Sequence, residues 1–288
     1  ENLMMAWTMQ LGVQDSFEAS PLVIGDTMYL VTPKPNYVYA LDLTRQGAIK
    51  WEFRPEFADF AMTVRSACCG AQTRGLAYAD GHIFFVTLDG QVFSLDAETG
   101  DVIWRVENAD ISSGETVTAM PLVVNDKVIV GVAGGERGVR GHVTAYHIDT
   151  ATGALGEGET VSLPPPDWSG NVGGPQIRIT ADGAWVFANV GGADHIASLR
   201  VADDGSVAVI SYVESESGPR AMGLDASGRF LFSTGGNSGY ISVFQIDRDT
   251  GILTWVNRAP LAAGHRRAAG DPVQQEKGEQ QRGHANGG

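Results

Sequence analysis

An all-β fold is predicted for this 288-residue sequence, on three observations. Apolar residues alternate with period two along most of the chain, while the 3.6-residue period of a helix is almost nowhere. The 37 glycines and 12 prolines supply many turns. An aspartate closes the third strand of a repeating unit at Asp42, Asp96, Asp149, Asp203 and Asp247, at spacings of 54, 53, 54 and 44 residues. A unit of four short antiparallel strands recurring every ~40–55 residues marks propeller blades. A sandwich would supply short strands without this repeated order of turns. The expectation is a β-propeller of about five four-stranded blades, in a ring that closes small, stays incomplete and open, or pairs with another chain.

The units follow in order. Residues 21–31 give two short strands around Gly25-Asp26, residues 37–42 a third and 49–53 a fourth. The second unit repeats this through 75–86, 91–96 and 102–104, and the third runs through 120–130 and 142–146 to Asp149 and Gly153. Residues 177–187, 195–200 and 207–210 make the fourth; 221–232, 240–244 and 253–255 make the fifth. In the Asp-x-x-Thr-Gly turns the aspartate accepts from backbone amides and the glycine supplies a positive φ. Trp51, Trp104 and Trp255 hold the same place in three units and are expected to pack between neighbouring sheets. The opening stretch 6–10 is a candidate to complete the last blade. Residues 262–288 hold almost nothing apolar and predict a disordered tail.

A net charge of −14 argues against nucleic acid or an anionic membrane as partner. No run approaches ~18 apolar residues, so no membrane span is expected. The start shows no signal peptide and no initiator methionine, and reads like the interior of something longer. The only two cysteines, Cys68 and Cys69, are adjacent. Neighbouring thiols cannot easily chelate one ion; their distinctive chemistry is a disulfide ring that distorts the intervening peptide. The alternative is two small buried residues that happen to be neighbours. If paired, they favour an oxidising compartment.

Five motifs occur in order in the first half: Phe17-Glu-Ala-Ser-Pro-Leu-Val23, Thr32-Pro-Lys-Pro-Asn36, Cys68-Cys69 with Arg74-Gly-Leu-Ala-Tyr78, Ser113-Gly-Glu-Thr-Val-Thr118, and Gly134-Gly-Glu-Arg-Gly-Val-Arg-Gly141. On these, residues 6–146 resemble the pyrroloquinoline-quinone (PQQ) alcohol dehydrogenases, most closely the lanthanide-type methanol dehydrogenases. The resemblance implies a periplasmic eight-bladed propeller that carries PQQ and Ca²⁺ or a lanthanide, oxidises primary alcohols and passes electrons to a c-type cytochrome. It further implies a Cys68–Cys69 disulfide flat against the quinone. Arg74 would donate to the quinone carbonyl oxygens where charge develops. Glu18 and Thr118 would hold polar groups on the cofactor rim, with Gly134 and Gly135 beside it. Glu136 would ligate a metal acting as a Lewis acid. One departure shows: a hydroxyl residue usual two before the glycine pair is missing from Val132-Ala133-Gly134. The family's aspartate base, its other metal ligands and the tryptophan over the second quinone face come from later blades, so the expected site is partial.

The second half carries Leu163-Pro-Pro-Pro-Asp-Trp-Ser-Gly170, Gln176-Ile-Arg-Ile-Thr-Ala-Asp-Gly183, Gly218-Pro-Arg220, Leu224-Asp-Ala-Ser-Gly-Arg-Phe-Leu231 and Val243-Phe-Gln-Ile-Asp-Arg-Asp-Thr-Gly251. These resemble the seven-bladed lactonase propellers, which include bacterial 6-phosphogluconolactonases. Arg220 is the residue carried over, as a carboxylate or phosphate contact. Histidines usual after Ile177 and Arg220 are Arg178 and Ala221 here, which weakens a hydrolytic reading. The expectation is a chimera: quinoprotein-like blades over 1–149, lactonase-like blades over 150–261 and the tail over 262–288. Its small-molecule substrate is an alcohol or, in the alternative, a lactone; a non-catalytic scaffold is the third reading. Open propeller edges predict self-association.

Overall fold

A computed structural model describes residues 4–57, 70, 72–134, 137–170, 172, 176–202, 204 and 206–261. Five four-stranded sheets follow one another along these residues, each with its strands antiparallel and adjacent in chain order. The first holds β1 (Leu22–Ile24), β2 (Thr27–Val31), β3 (Val38–Asp42) and β4 (Ala48–Phe53). The second holds β5 (Ala77–Ala79), β6 (His82–Val86), β7 (Gln91–Asp96) and β8 (Val102–Glu107). The third holds β9 (Leu122–Val124), β10 (Lys127–Val132), β11 (His142–Ile148) and β12 (Leu155–Ser162). The fourth holds β13 (Ile177–Ile179), β14 (Trp185–Val190), β15 (His195–Val201) and β16 (Val207–Glu214). The fifth holds β17 (Pro219–Leu224), β18 (Phe230–Gly235), β19 (Tyr240–Ile246) and β20 (Leu253–Pro260). The all-β propeller architecture with about five blades is as predicted.

Sheets stack face to face, and the second shows how. Side chains of a strand alternate between faces. Ile83, Phe85, Phe93 and Leu95 therefore point to the first sheet, where they meet Tyr29, Val31, Val38 and Trp51. Phe84, Val86 and Val92 point the other way and meet Val128 and Val130 of the third. A strand covered on both faces needs an unbroken apolar run, and His82–Val86 is buried throughout. Ile129 and Val143 then pack on Val186 and Ala188, and Phe187 packs with Leu231 and Phe244. Four cores thus join five sheets in series. Among the described residues no core joins the fifth sheet to the first, so the sheets form an open arc.

The aspartate turns are built as expected. Asp96 accepts from the amides of Glu98 and Thr99, and Asp247 from those of Asp249 and Thr250. The Thr99 amide, and the Thr250 amide in the fifth sheet, hold these carboxyls below the usual carboxylate range. Asp203 lies outside the described residues, and in the fourth sheet Asp204 accepts from the Ser206 amide and hydroxyl.

These turns also receive a ring from the preceding sheet. Trp51 donates its indole N–H to Ala97 O at 3.0 Å, and a Cβ on Gly100 would lie 2.7 Å from its ring. Trp185 repeats the arrangement, bonding Arg248 O at 2.9 Å and covering Gly251. The tryptophan prediction holds for Trp51 and Trp104, which pack between neighbouring sheets, and needs correction at Trp255. Trp104 packs edge-on against Tyr146 at 5.6 Å and does not cover the turn glycine Gly153, which lies under His82. Trp255 is 53% exposed, because it lies on the last sheet of the arc.

Residues 6–10 do not complete the fifth sheet, whose four strands are β17–β20. They lie along the first sheet instead. Trp7 covers Gly47 of the first turn, as Trp51 covers Gly100, and Tyr39 donates to Leu11 O. The opening segment thus packs against the first sheet. No helix among the described residues is long and apolar enough to cross a membrane.

Candidate functional site

The segments just ahead of β1, β5 and β9 each deliver one polar residue to a common point. Arg74 Nη2 lies 3.2 Å from Glu18 Oε2, and Arg74 Nη1 donates to the backbone carbonyl of Thr118 at 3.2 Å. Three successive sheets thus converge on one guanidinium. Close packing sets its position: the next residue, Gly75, has φ +139°, and a Cβ there would sit 3.2 Å from Met120 Sδ. The ion pair is accessible, with side-chain exposures of 40% and 38%. Such a pair is worth about 0.2–1 kcal/mol. Arg74 can therefore exchange Glu18 for another anion or a carbonyl oxygen at little cost.

Of the other residues singled out in the first half, Gly134 is described. A Cβ on it would lie 2.6 Å from Gly114 O, at φ +141°, so only glycine fits. The preceding Ala133 exchanges two backbone hydrogen bonds with Thr116, which holds the Thr116–Thr118 segment in place. Cys68, Cys69, Gly135 and Glu136 lie outside the described residues. The same neighbourhood contains a pair that sequence reading passed over. His142 Nδ1 is 3.9 Å from Glu115 Oε1, both side chains are largely buried, and burial pushes the imidazole below its usual range. Glu115 was within a quoted motif, but nothing in the sequence joined it to His142.

The second half arranges its polar groups differently. Asn189 accepts from the Gln176 amide and donates to Pro219 O at 3.1 Å, while Gln176 Oε1 accepts from the Met222 amide at 2.6 Å. Asp194 accepts from the Gly218 amide at 2.9 Å. These side chains tie the fourth sheet to the fifth. Arg220 is exposed on β17, with its stem over Gly236. Among the described residues no hydrogen bond or ion pair joins it to Glu18, Arg74 or Thr118.

The described donor set can be tested against an anionic quinone and against a metal. One accessible guanidinium between two oxygen-bearing segments suits a ligand rich in carbonyl and carboxylate oxygens. Among the described residues no three His, Cys, Asp or Glu side chains stand close enough to hold a metal ion. The quinone side of the expected site fits these residues. The metal side rests on Glu136, outside them.

Comparisons with known proteins divide the chain in the same way. The family model for the lactonase seven-bladed β-propeller matches residues 139–265. The lanthanide-dependent methanol dehydrogenase of Methylacidiphilum fumariolicum is 53% identical over 149 residues, 51% of this chain and 24% of that protein. The lanthanide-dependent methanol dehydrogenase of Methylorubrum extorquens is 51% identical over 148 residues, again 51% of this chain and 24% of that protein. The chain thus spans about a quarter of the length of these relatives. Among solved structures, a europium-containing methanol dehydrogenase superposes with a TM-score of 0.72 at 32% identity, covering 89% of this chain and 53% of that one. The periplasmic gluconolactonase of Pseudomonas aeruginosa shares the fold, with a TM-score of 0.61 at 17% identity over 82% of this chain and 68% of its own. The family model for the glucose/ethanol/alcohol dehydrogenase β-propeller domain matches residues 1–155, more than half of the chain, and the chain belongs to that family.

Proposed function

We propose that the first three sheets form the quinone-facing part of a PQQ-dependent alcohol dehydrogenase site, competent in alcohol oxidation only when further residues complete it. The observation that carries this reading is the accessible guanidinium of Arg74 held between Glu18 and Thr118. When bound, PQQ supplies a two-electron acceptor for alcohol oxidation. Arg74 would offer its N–H groups to carbonyl oxygens, and Glu18 and Thr118 would fix the rim of the cofactor by hydrogen bonds. Gly134 and Gly135 would leave room for it, the paired sulfurs of Cys68 and Cys69 would cover one face, and Glu136 would contribute a carboxylate to Ca²⁺ or a lanthanide. Assignment of residues 1–149 to quinoprotein-like blades, 150–261 to lactonase-like blades and 262–288 to a tail belongs to this proposal. So do a periplasmic location, a c-type cytochrome as electron acceptor and self-association through the open ends of the arc.

The test is a titration of the oxidised protein with PQQ in the presence of La³⁺ or Ca²⁺, followed by tryptophan fluorescence. Saturable quenching that is lost in Arg74→Ala and weakened in Glu136→Ala supports the reading; no quenching with either metal refutes it. A second reading, hydrolysis of sugar lactones, draws on the lactonase match over residues 139–265. It predicts metal-independent turnover of 6-phosphogluconolactone that falls in Arg220→Ala.

A further inference from the structure

At the junction of the second and third sheets the outer strands part, leaving a groove of about 570 Å³ between β8 and β12. Its origin is local. Trp51 and Trp185 each close their junction by covering the next sheet's turn glycine, but here His82 covers Gly153 and Trp104 stays half-buried against Tyr146. On the opposite wall Gly158 carries no side chain, and a Cβ there would lie 2.6 Å from the Tyr146 ring. Residues 104–108 of one wall lie in the stretch matched only by the dehydrogenase model, and 156–160 of the other in that matched only by the lactonase model. The groove is therefore a composite of the two halves.

Its chemistry selects a ligand class. Trp104, half-buried, lines the groove beside Tyr146. Glu107 and Glu157 are exposed at its edges without an ion-pair partner among the described residues, and no lysine, arginine or histidine lines the groove. Asn108 accepts from Tyr146 through Oδ1, while its Nδ2 is buried with no acceptor among the described residues. Anions are excluded by the two carboxylates. A sugar brings hydroxyls that donate to the two exposed glutamates and an apolar C–H face for the Trp104 and Tyr146 pair.

We propose that the groove between β8 and β12, walled by Trp104, Asn108, Tyr146, Glu157 and Gly158, binds a short neutral oligosaccharide. The site is independent of Arg74 and of any cofactor. The test uses the full chain and calorimetric titration with cellotriose, maltotriose and chitotriose in turn, with choline as the cationic comparison. At least one trisaccharide binds saturably, and Trp104→Ala weakens it about tenfold or more, while Arg74→Ala leaves it unchanged. Glu157→Gln and Asn108→Ser, at the groove edge and floor, each weaken it several-fold and serve if Trp104→Ala misfolds by circular dichroism. Failure of all three trisaccharides to bind overturns the proposal, as does binding insensitive to every folded groove variant or choline bound more tightly than any sugar.

Discussion

The two halves handle polar groups near their first strands in opposite ways. In sheets one to three, Glu18 and Arg74 meet as a half-exposed ion pair, and among the described residues Arg74 hydrogen-bonds one carbonyl besides. In sheets four and five, Asn189, Gln176 and Asp194 are engaged by backbone groups of neighbouring segments. The first arrangement keeps hydrogen-bonding capacity for a ligand, and the second uses it to hold sheets together. A shared architecture thus carries a half-exposed polar cluster at one end of the arc and a structural lattice at the other.

The largest expected effect tests whether both halves rest on the same kind of core. Phe85, fully buried between the first two sheets, and Phe244, between the last two, should each cost about 3–5 kcal/mol on replacement by alanine. Urea unfolding should register both losses; a loss confined to one would show that the halves unfold separately. Next comes the docking of tryptophans on turns. Trp51→Phe gives up a buried indole hydrogen bond and its fit over Gly100, at about 1–3 kcal/mol, whereas Trp255→Phe stays within about 0.5 kcal/mol. Equal losses in thermal unfolding would mean that Trp255 is covered in solution, as self-association through the fifth sheet would require. Arg74→Ala should change stability by less than about 1 kcal/mol, since its ion pair is exposed, while the proposed PQQ binding is expected to be lost.

A smaller effect separates the halves by pH. In the fifth sheet the Ser227 hydroxyl, with the Phe230 amide, pulls the Asp225 carboxyl down to about 2. A depressed carboxylate stabilises the fold above its ordinary value of about 4, and that contribution is lost as pH falls from about 4 through about 2. Asp225→Ala should flatten this part of the stability profile, read by urea unfolding between pH 5 and 2. An unchanged slope would assign the acid sensitivity to other turns, such as those of Asp42, held down chiefly by the Thr44 hydroxyl, and Asp96.

How much was legible in the sequence follows the same physics. Alternating apolar residues, as in 49–53, mark strands because a pleat sends neighbours to opposite faces, and an Asp-x-x-Thr-Gly turn is a local device needing no partner. Strand β12 escaped notice because Leu155-Gly-Glu-Gly-Glu-Thr160 has two glycines and two glutamates, poor strand formers; pairing with β11 makes it a strand. Arg74 was found through a motif, but its convergence with Glu18 and the Thr118 carbonyl is a fact of sheet stacking. The unusual surroundings of Trp104 and the exposure of Trp255 were hidden for the same reason: a residue's place in its own blade says nothing about the next blade's turn.

The most direct test of the central contrast is a side-by-side PQQ titration of the unmodified chain, Arg74→Ala and Arg220→Ala, each oxidised and supplied with La³⁺. The account predicts saturable quenching in the unmodified chain and in Arg220→Ala, and none in Arg74→Ala. Quenching that survives in Arg74→Ala, or disappears in Arg220→Ala, would contradict it.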